Sequence, residues 1–161
     1  MKVINLFGGP GSGKSTTAAA SFAMMKNMGL RVELVTEYAK DLTYEKGDLS
    51  NQLAILGEQD RRLRRLIGQV DFVVTDSPLL LCLMYAKDSF VAPWFTSAVL
   101  GASGSYTNLN FFLKRVKPYV IPKEKKPISE GEYNVHESFA EAIRLFVTNP
   151  DLLRKGDRKS V

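Results

Sequence analysis

Residues 8–16 read Gly8-Gly9-Pro10-Gly11-Ser12-Gly13-Lys14-Ser15-Thr16, and this stretch decides the fold. Its spacing is G-x-x-x-x-G-K-[ST], the pattern of a loop whose backbone cradles phosphate. The setting makes the pattern informative. Residues 3–7 (VINLF) form a short apolar run before it, expected to be a strand buried on both faces. Residues 14–28 after it are rich in Ala and Met and stop at Gly29, as a helix with a glycine just past its end does. Between such a strand and helix, glycines let successive backbone N–H groups turn inward, and the helix start adds its positive end. The loop is therefore expected to hold the triphosphate of a nucleotide, ATP. Lys14 would reach the β- and γ-phosphates, and the Ser15 hydroxyl would ligate Mg²⁺.

Outward from the loop, apolar runs and helical periodicities alternate. Residues 31–36 (RVELVT) and 71–75 (DFVVT) read as strands, and residues 108–113 (NLNFFL) as a fourth. Residues 49–70 read as a helix whose apolar stripe is Leu49, Leu53, Leu56, Leu63, Ile67 and Val70. Residues 78–87 open a further helix with Pro78 near its start. Residues 91–105, with Trp94 and two glycines, have no clear period. Near the end, Ser129 and Glu132 have the spacing of a capping box, with Ile128 and Tyr133 placed as a hydrophobic staple. Phe139, Ile143, Phe146 and Val147 would give that last helix its apolar face, and Asn149-Pro150 would end it.

Strands alternating with helices imply a parallel sheet with helices on both faces. The expected class is α/β: a P-loop NTPase three-layer α/β/α fold with a four- to five-stranded parallel sheet. One domain would span residues 1–150, with a basic lid at about 114–131 and a polar, basic tail at 151–161.

Ligands in such sheets bind beyond the carboxyl ends of the strands. Two acids stand there. Asp76 follows DFVVT and is placed to hold a Mg²⁺-bound water or to take a proton from an attacking hydroxyl. Its bland alternative is a helix cap before Pro78. Glu37 follows RVELVT and is the other candidate base, with Tyr38 beside it offering a ring to stack on a nucleobase and Asp41 one turn on. Spacing alone does not choose between the two acids as base.

The chain carries 22 Lys and Arg against 17 Asp and Glu, a net charge of +5, which favours anionic ligands. The excess is clustered. Arg61, Arg62, Arg64 and Arg65 lie on the 49–70 helix, with Arg61, Arg62 and Arg65 expected to point away from the leucine stripe into solvent. Residues 114–126 hold Lys114, Arg115, Lys117, Lys123, Lys125 and Lys126 against one acid, Glu124, and two prolines make this a loop. A basic loop there suits a lid whose cation neutralises transition-state charge. His136 is the only histidine and Cys82 the only cysteine, so neither a histidine cluster nor an intramolecular disulfide is expected. Cys82 sits in an apolar run and reads as a core thiol. No apolar run reaches membrane-spanning length and the start lacks a signal-peptide pattern, so a cytoplasmic protein is expected.

Taken together, NLFGGPGSGKST (5–16), VTEYAKDL (35–42), Gln52 and Gln59-x-x-Arg62, TDSPLL (75–80) and FFLKRVKPY (111–119) make the chain resemble a known family. It is similar to the small P-loop kinases of bacteriophage genomes described as AAA-type ATPases and related to the ribosylnicotinamide kinase domain. The resemblance implies ATP- and Mg²⁺-dependent phosphoryl transfer to a hydroxyl of a nucleotide-type acceptor. The sharpest version is 5-hydroxymethyluracil in DNA, with a free nucleoside or nucleoside monophosphate as alternative. It also singles out Arg62 among its neighbours and leaves Arg115, Lys123, Lys125 and Lys126 as substrate or lid cations. The chain departs from the pattern where the lid reads VIPKEKKPISEG without a Gly-Arg pair. The rival from another class is a DNA-stimulated ATPase or nucleotide switch that passes phosphate only to water.

Overall fold

The alternation of apolar residues in β1 (Lys2–Phe7) sends Ile4 and Leu6 to one side and Val3, Asn5 and Phe7 to the other, and both sides are covered. The computed structural model describes residues 1–115. These divide into two packing units: Met1–Phe7 with Gly13–Leu113, and Gly8–Ser12 with the residues from Lys114 on. The expected lid beyond Arg115, the expected last helix with His136, and the tail lie outside the described residues.

In the larger unit, β1, β2 (Val32–Val35), β3 (Phe72–Thr75) and β4 (Thr107–Phe112) form one sheet, ordered β2-β3-β1-β4 and parallel throughout. Thr75 lies opposite both Asn5 and Val35, so β1, β2 and β3 end at nearly the same level. α1 (Lys14–Asn27) covers one face: Ala18, Phe22 and Met25 pack with Ile4, Leu6, Val32, Leu34, Phe72 and Val74. On the opposite side α5 (Pro93–Gly104) lies against β4 and α3 (Gln52–Arg64) against α5, with Leu63, Phe95 and Val99 essentially inaccessible. The fold is the expected α/β/α arrangement on a parallel sheet, four-stranded among the described residues.

β4 ends the sheet among the described residues, and its register against β1 is pinned by amides. The buried Asn5 donates from Nδ2 to Asn108 Oδ1 at 2.8 Å and to Asn110 Oδ1 at 2.9 Å, while Asn108 donates to the Ser103 and Tyr106 carbonyls. A slip by one residue would turn these amides to the other face and leave the buried Asn5 without both of its side-chain partners.

Two readings of the helices are corrected. The stretch 78–87 is a 3₁₀ turn (Leu79–Leu81) followed by the single-turn α4 (Cys82–Tyr85), while Tyr38–Tyr44 forms α2. The larger correction concerns α3. Its buried face is Gln52, Ile55, Leu56, Gln59 and Leu63, whereas Leu49, Leu53 and Ile67 are 44%, 48% and 53% exposed. Asn51 starts the helix by accepting the Ala54 N–H at 3.1 Å, which leaves Leu49 outside it. The stripe rotates because two glutamines are buried with backbone partners: Gln52 donates to the Leu49 carbonyl and Gln59 bonds the chain after β2. Arg62 thereby turns inward, not into solvent. Cys82 is buried, and desolvation pushes its thiol up to about 12, the behaviour of a core thiol and not of a nucleophile.

Candidate functional site

α1 begins at Gly13, whose φ of 87° is left-handed, and its first helical bond runs from the Thr17 N–H to the Gly13 carbonyl at 2.8 Å. No side chain caps this start and no acid lies in the first turn, so its N–H groups and positive end are uncompensated from within the helix. Lys14, Ser15 and Thr16 are the first residues of α1. The nearest atom to a Cβ built at Gly13 is Thr17 Oγ1 at 4.0 Å, so backbone conformation and not space demands glycine there. Gly13→Ala is expected to cost about 1–2 kcal/mol, the strain of a left-handed non-glycine residue. It should lower Tm by several degrees and weaken nucleotide binding, both measurable by thermal melts with and without ATP.

The smaller unit holds the rest of the phosphate loop, Gly8, Gly9, Pro10, Gly11 and Ser12. Gly11 has φ 70°, and the Ser12 N–H closes onto the Gly9 carbonyl at 3.2 Å. Arg115 donates from Nη2 to the Pro10 carbonyl at 2.7 Å, so this cation supports the loop backbone. Ser12 Oγ is buried with no hydrogen-bond partner among the described residues.

Back in the larger unit, Asp76 leaves β3 directly after Thr75 and is 6% exposed. It is no helix cap. The Thr75 hydroxyl takes the Ser77 N–H at 3.1 Å, and no side chain caps the following 3₁₀ turn. Asp76 Oδ1 is buried without a hydrogen-bond partner among the described residues. A buried carboxylate oxygen left this way costs free energy unless a cation, a donor or a proton meets it. Because β3 is the parallel neighbour of β1, Asp76 emerges at the same end of the sheet at which β1 gives way to the loop. An acidic oxygen here and a hydroxyl at the second residue of α1 fit Mg²⁺, which takes few protein oxygens and shares the rest with phosphate and water.

The third strand end is braced from α3. Glu37 is extended (φ −67°, ψ 118°), begins α2, and does not use its side chain to cap it. Burial above all, joined by the charge of the Glu37 carboxylate, raises the Tyr85 phenol above its usual range. Gln59, 2% exposed, accepts the Tyr38 N–H at 3.0 Å and donates to the Thr36 carbonyl at 3.2 Å. Arg62 pairs with Asp41 at 2.7 Å and Glu58 at 3.0 Å, and its guanidinium lies 5.0 Å from the Tyr38 ring centre. Hydrogen bonds from Arg61 above all, and also from Arg62, hold the Glu58 carboxyl down at about 2 despite the opposing effect of its surroundings. Tyr38, Asp41 and Arg62, singled out separately in the sequence, thus form one cluster. Arg61 and Arg64 remain exposed and pair with Glu58 and Asp60. Lys123, Lys125 and Lys126 lie outside the described residues. Gln59 carries the bracing, and helical periodicity passed over it; the available signal was a long amide occupying a position that an apolar stripe assigns to a hydrophobe.

No curated protein matches the chain. Among solved structures it is similar to the APS kinase of Mycobacterium tuberculosis, with 18% identity, 90% of this chain and 96% of that one covered, and a TM-score of 0.41. It is also similar to the protein APE1195, with 19% identity, coverage of 93% and 72%, and a TM-score of 0.44. A family model described as AAA domain matches residues 3–149, and the chain belongs to that family.

Proposed function

We propose that this protein is a kinase that transfers the γ-phosphoryl group of ATP to a hydroxyl of a nucleotide-type acceptor. The observation that carries the reading is the buried Asp76 Oδ1, without a hydrogen-bond partner among the described residues, at the end of the strand beside β1. In this reading the loop amides and Lys14 bind the triphosphate, and Ser15 and Asp76 hold Mg²⁺. When bound, the cation offsets charge on the phosphate oxygens. Glu37 takes the proton of the acceptor hydroxyl as its oxygen bonds to the γ-phosphorus and the bond to the ADP oxygen breaks. Little covalent chemistry falls to the protein, so positioning and charge neutralisation are what its residues contribute. The acceptor is assigned to the 5-hydroxymethyl group of hydroxymethyluracil in DNA, on the family resemblance and the net charge of +5.

The test is γ-labelled ATP offered with nucleosides, nucleoside monophosphates, plain DNA and hydroxymethyluracil DNA. Label is expected on the hydroxymethylated polymer. Label on a free nucleotide alone would keep the kinase and replace the acceptor. Release of labelled phosphate to water only, whatever is added, would sink the kinase reading in favour of an ATPase.

A further inference from the structure

β2 ends its pairing with β3 at Val35, opposite Thr75, and from there the chain has no strand neighbour among the described residues. Glu37 is nevertheless extended, and in an extended residue the preceding C=O and the following N–H project to the same side. The Gln59 amide meets both, as a strand neighbour would, bonding Thr36 O at 3.2 Å and the Tyr38 N–H at 3.0 Å. We propose that Gln59 is the positioning residue for Glu37, fixing its backbone from both flanks so that its carboxylate is held where the acceptor hydroxyl loses its proton. The proposal rests on the reading of Glu37 as the base.

A glutamine amide satisfies this geometry at full reach. The Thr36 carbonyl can only accept and the Tyr38 N–H can only donate, so the partner must offer a donor and an acceptor side by side. Gln59 is buried, so its amide would cost stability if either bond were missing. The Tyr38 N–H is also one of the donors that every helix start leaves unpaired, and Gln59 satisfies it from α3 without drawing on the Glu37 side chain. Arg62, three residues along α3, braces the same turn: it donates to Thr36 O at 3.4 Å and to Asp41 at 2.7 Å. The strand end, the start of α2 and the Glu37 backbone are thus held by one face of α3.

A side chain that acts only through Glu37 has nothing to act on once that carboxylate is gone. Gln59→Met, similar in volume and unable to make either bond, is expected to lower kcat about 10- to 100-fold, the scale of a misplacement near 1 Å, with little change in KM for ATP. In a Glu37→Gln background the same substitution should change kcat by less than about 3-fold. Equal fractional losses in both backgrounds would mark Gln59 as merely structural and overturn the proposal, as would an unchanged kcat in Gln59→Met. If Gln59→Met does not fold, Gln59→Asn, which keeps donor and acceptor but is one methylene short of both backbone groups, is read by the same cycle. A slow Glu37→Gln enzyme beside a normal Gln59→Met enzyme would sink only the positioning role. Normal turnover in Glu37→Gln itself would sink the base assignment, and the positioning role with it.

Discussion

Lys14→Ala is expected to abolish phosphoryl transfer, by on the order of 10³-fold or more, while leaving the fold intact. The size follows from what a single cation at the transferred phosphoryl group contributes when it is removed from comparable sites. Retention of the fold follows from the position. Lys14 is the first residue of α1, it is not part of the buried core, and alanine has the higher helix propensity. The helix start at Gly13 and its bond from Thr17 do not involve the Lys14 side chain. Turnover with the best acceptor, a thermal melt and an ATP titration check this together. A variant with most of the wild-type turnover and an unchanged Tm would remove Lys14 from the catalytic machinery.

Asp76→Asn is expected to move activity and stability in opposite directions. The carboxylate is 6% exposed and its Oδ1 lacks a partner among the described residues, so in the ligand-free protein it is held at a cost. The isosteric amide removes the charge from that site without opening a cavity. Tm without nucleotide should therefore hold or rise, by roughly 2–4 °C for each 1 kcal/mol relieved. Turnover should fall by about 10²-fold or more, because an amide NH₂ cannot ligate a cation and the oxygen that remains is uncharged. Added Mg²⁺ with ATP should raise Tm in the wild type and raise it much less in the variant. A variant that melts well below the wild type would mean that Asp76 serves the fold, and the metal assignment would fail. Such opposition is common where a functional group is buried for chemistry and not for stability.

Some of this was legible in the sequence because it depends on near neighbours. The strand before Gly8, the left-handed glycine at position 13, the start of α1 and its end before Gly29 follow from steric limits and hydrogen bonds spanning only a few residues. The order of apolar runs and helical segments likewise implied a parallel sheet, because parallel strands need long crossovers and those crossovers were visible as helices. Asp76 and Glu37 could be named as strand-end acids for the same reason.

The tertiary structure decided what those residues face. Leucine spacing put Leu49, Leu53, Leu56, Leu63, Ile67 and Val70 on one inner face. Leu56 and Leu63 are buried, but Leu49, Leu53 and Ile67 are exposed, and α3 buries Gln52 and Gln59, whose amides both find backbone partners. Gln59 meets Thr36 and Tyr38 across 23 and 21 positions of chain, and Arg62 meets Asp41 across 21. Periodicity has no term for such bonds and treats a glutamine as solvent-facing. That Asp76 Oδ1 lacks a partner among the described residues is also a property of the packed end of the sheet, not of TDSP as a string. Local backbone chemistry determined where the loop, the strands and the start of α1 fall. Which polar groups are carried inside, and which of them are left for a ligand, was set by long-range packing, since burial makes hydrogen-bond satisfaction decisive and only the folded chain defines what is buried.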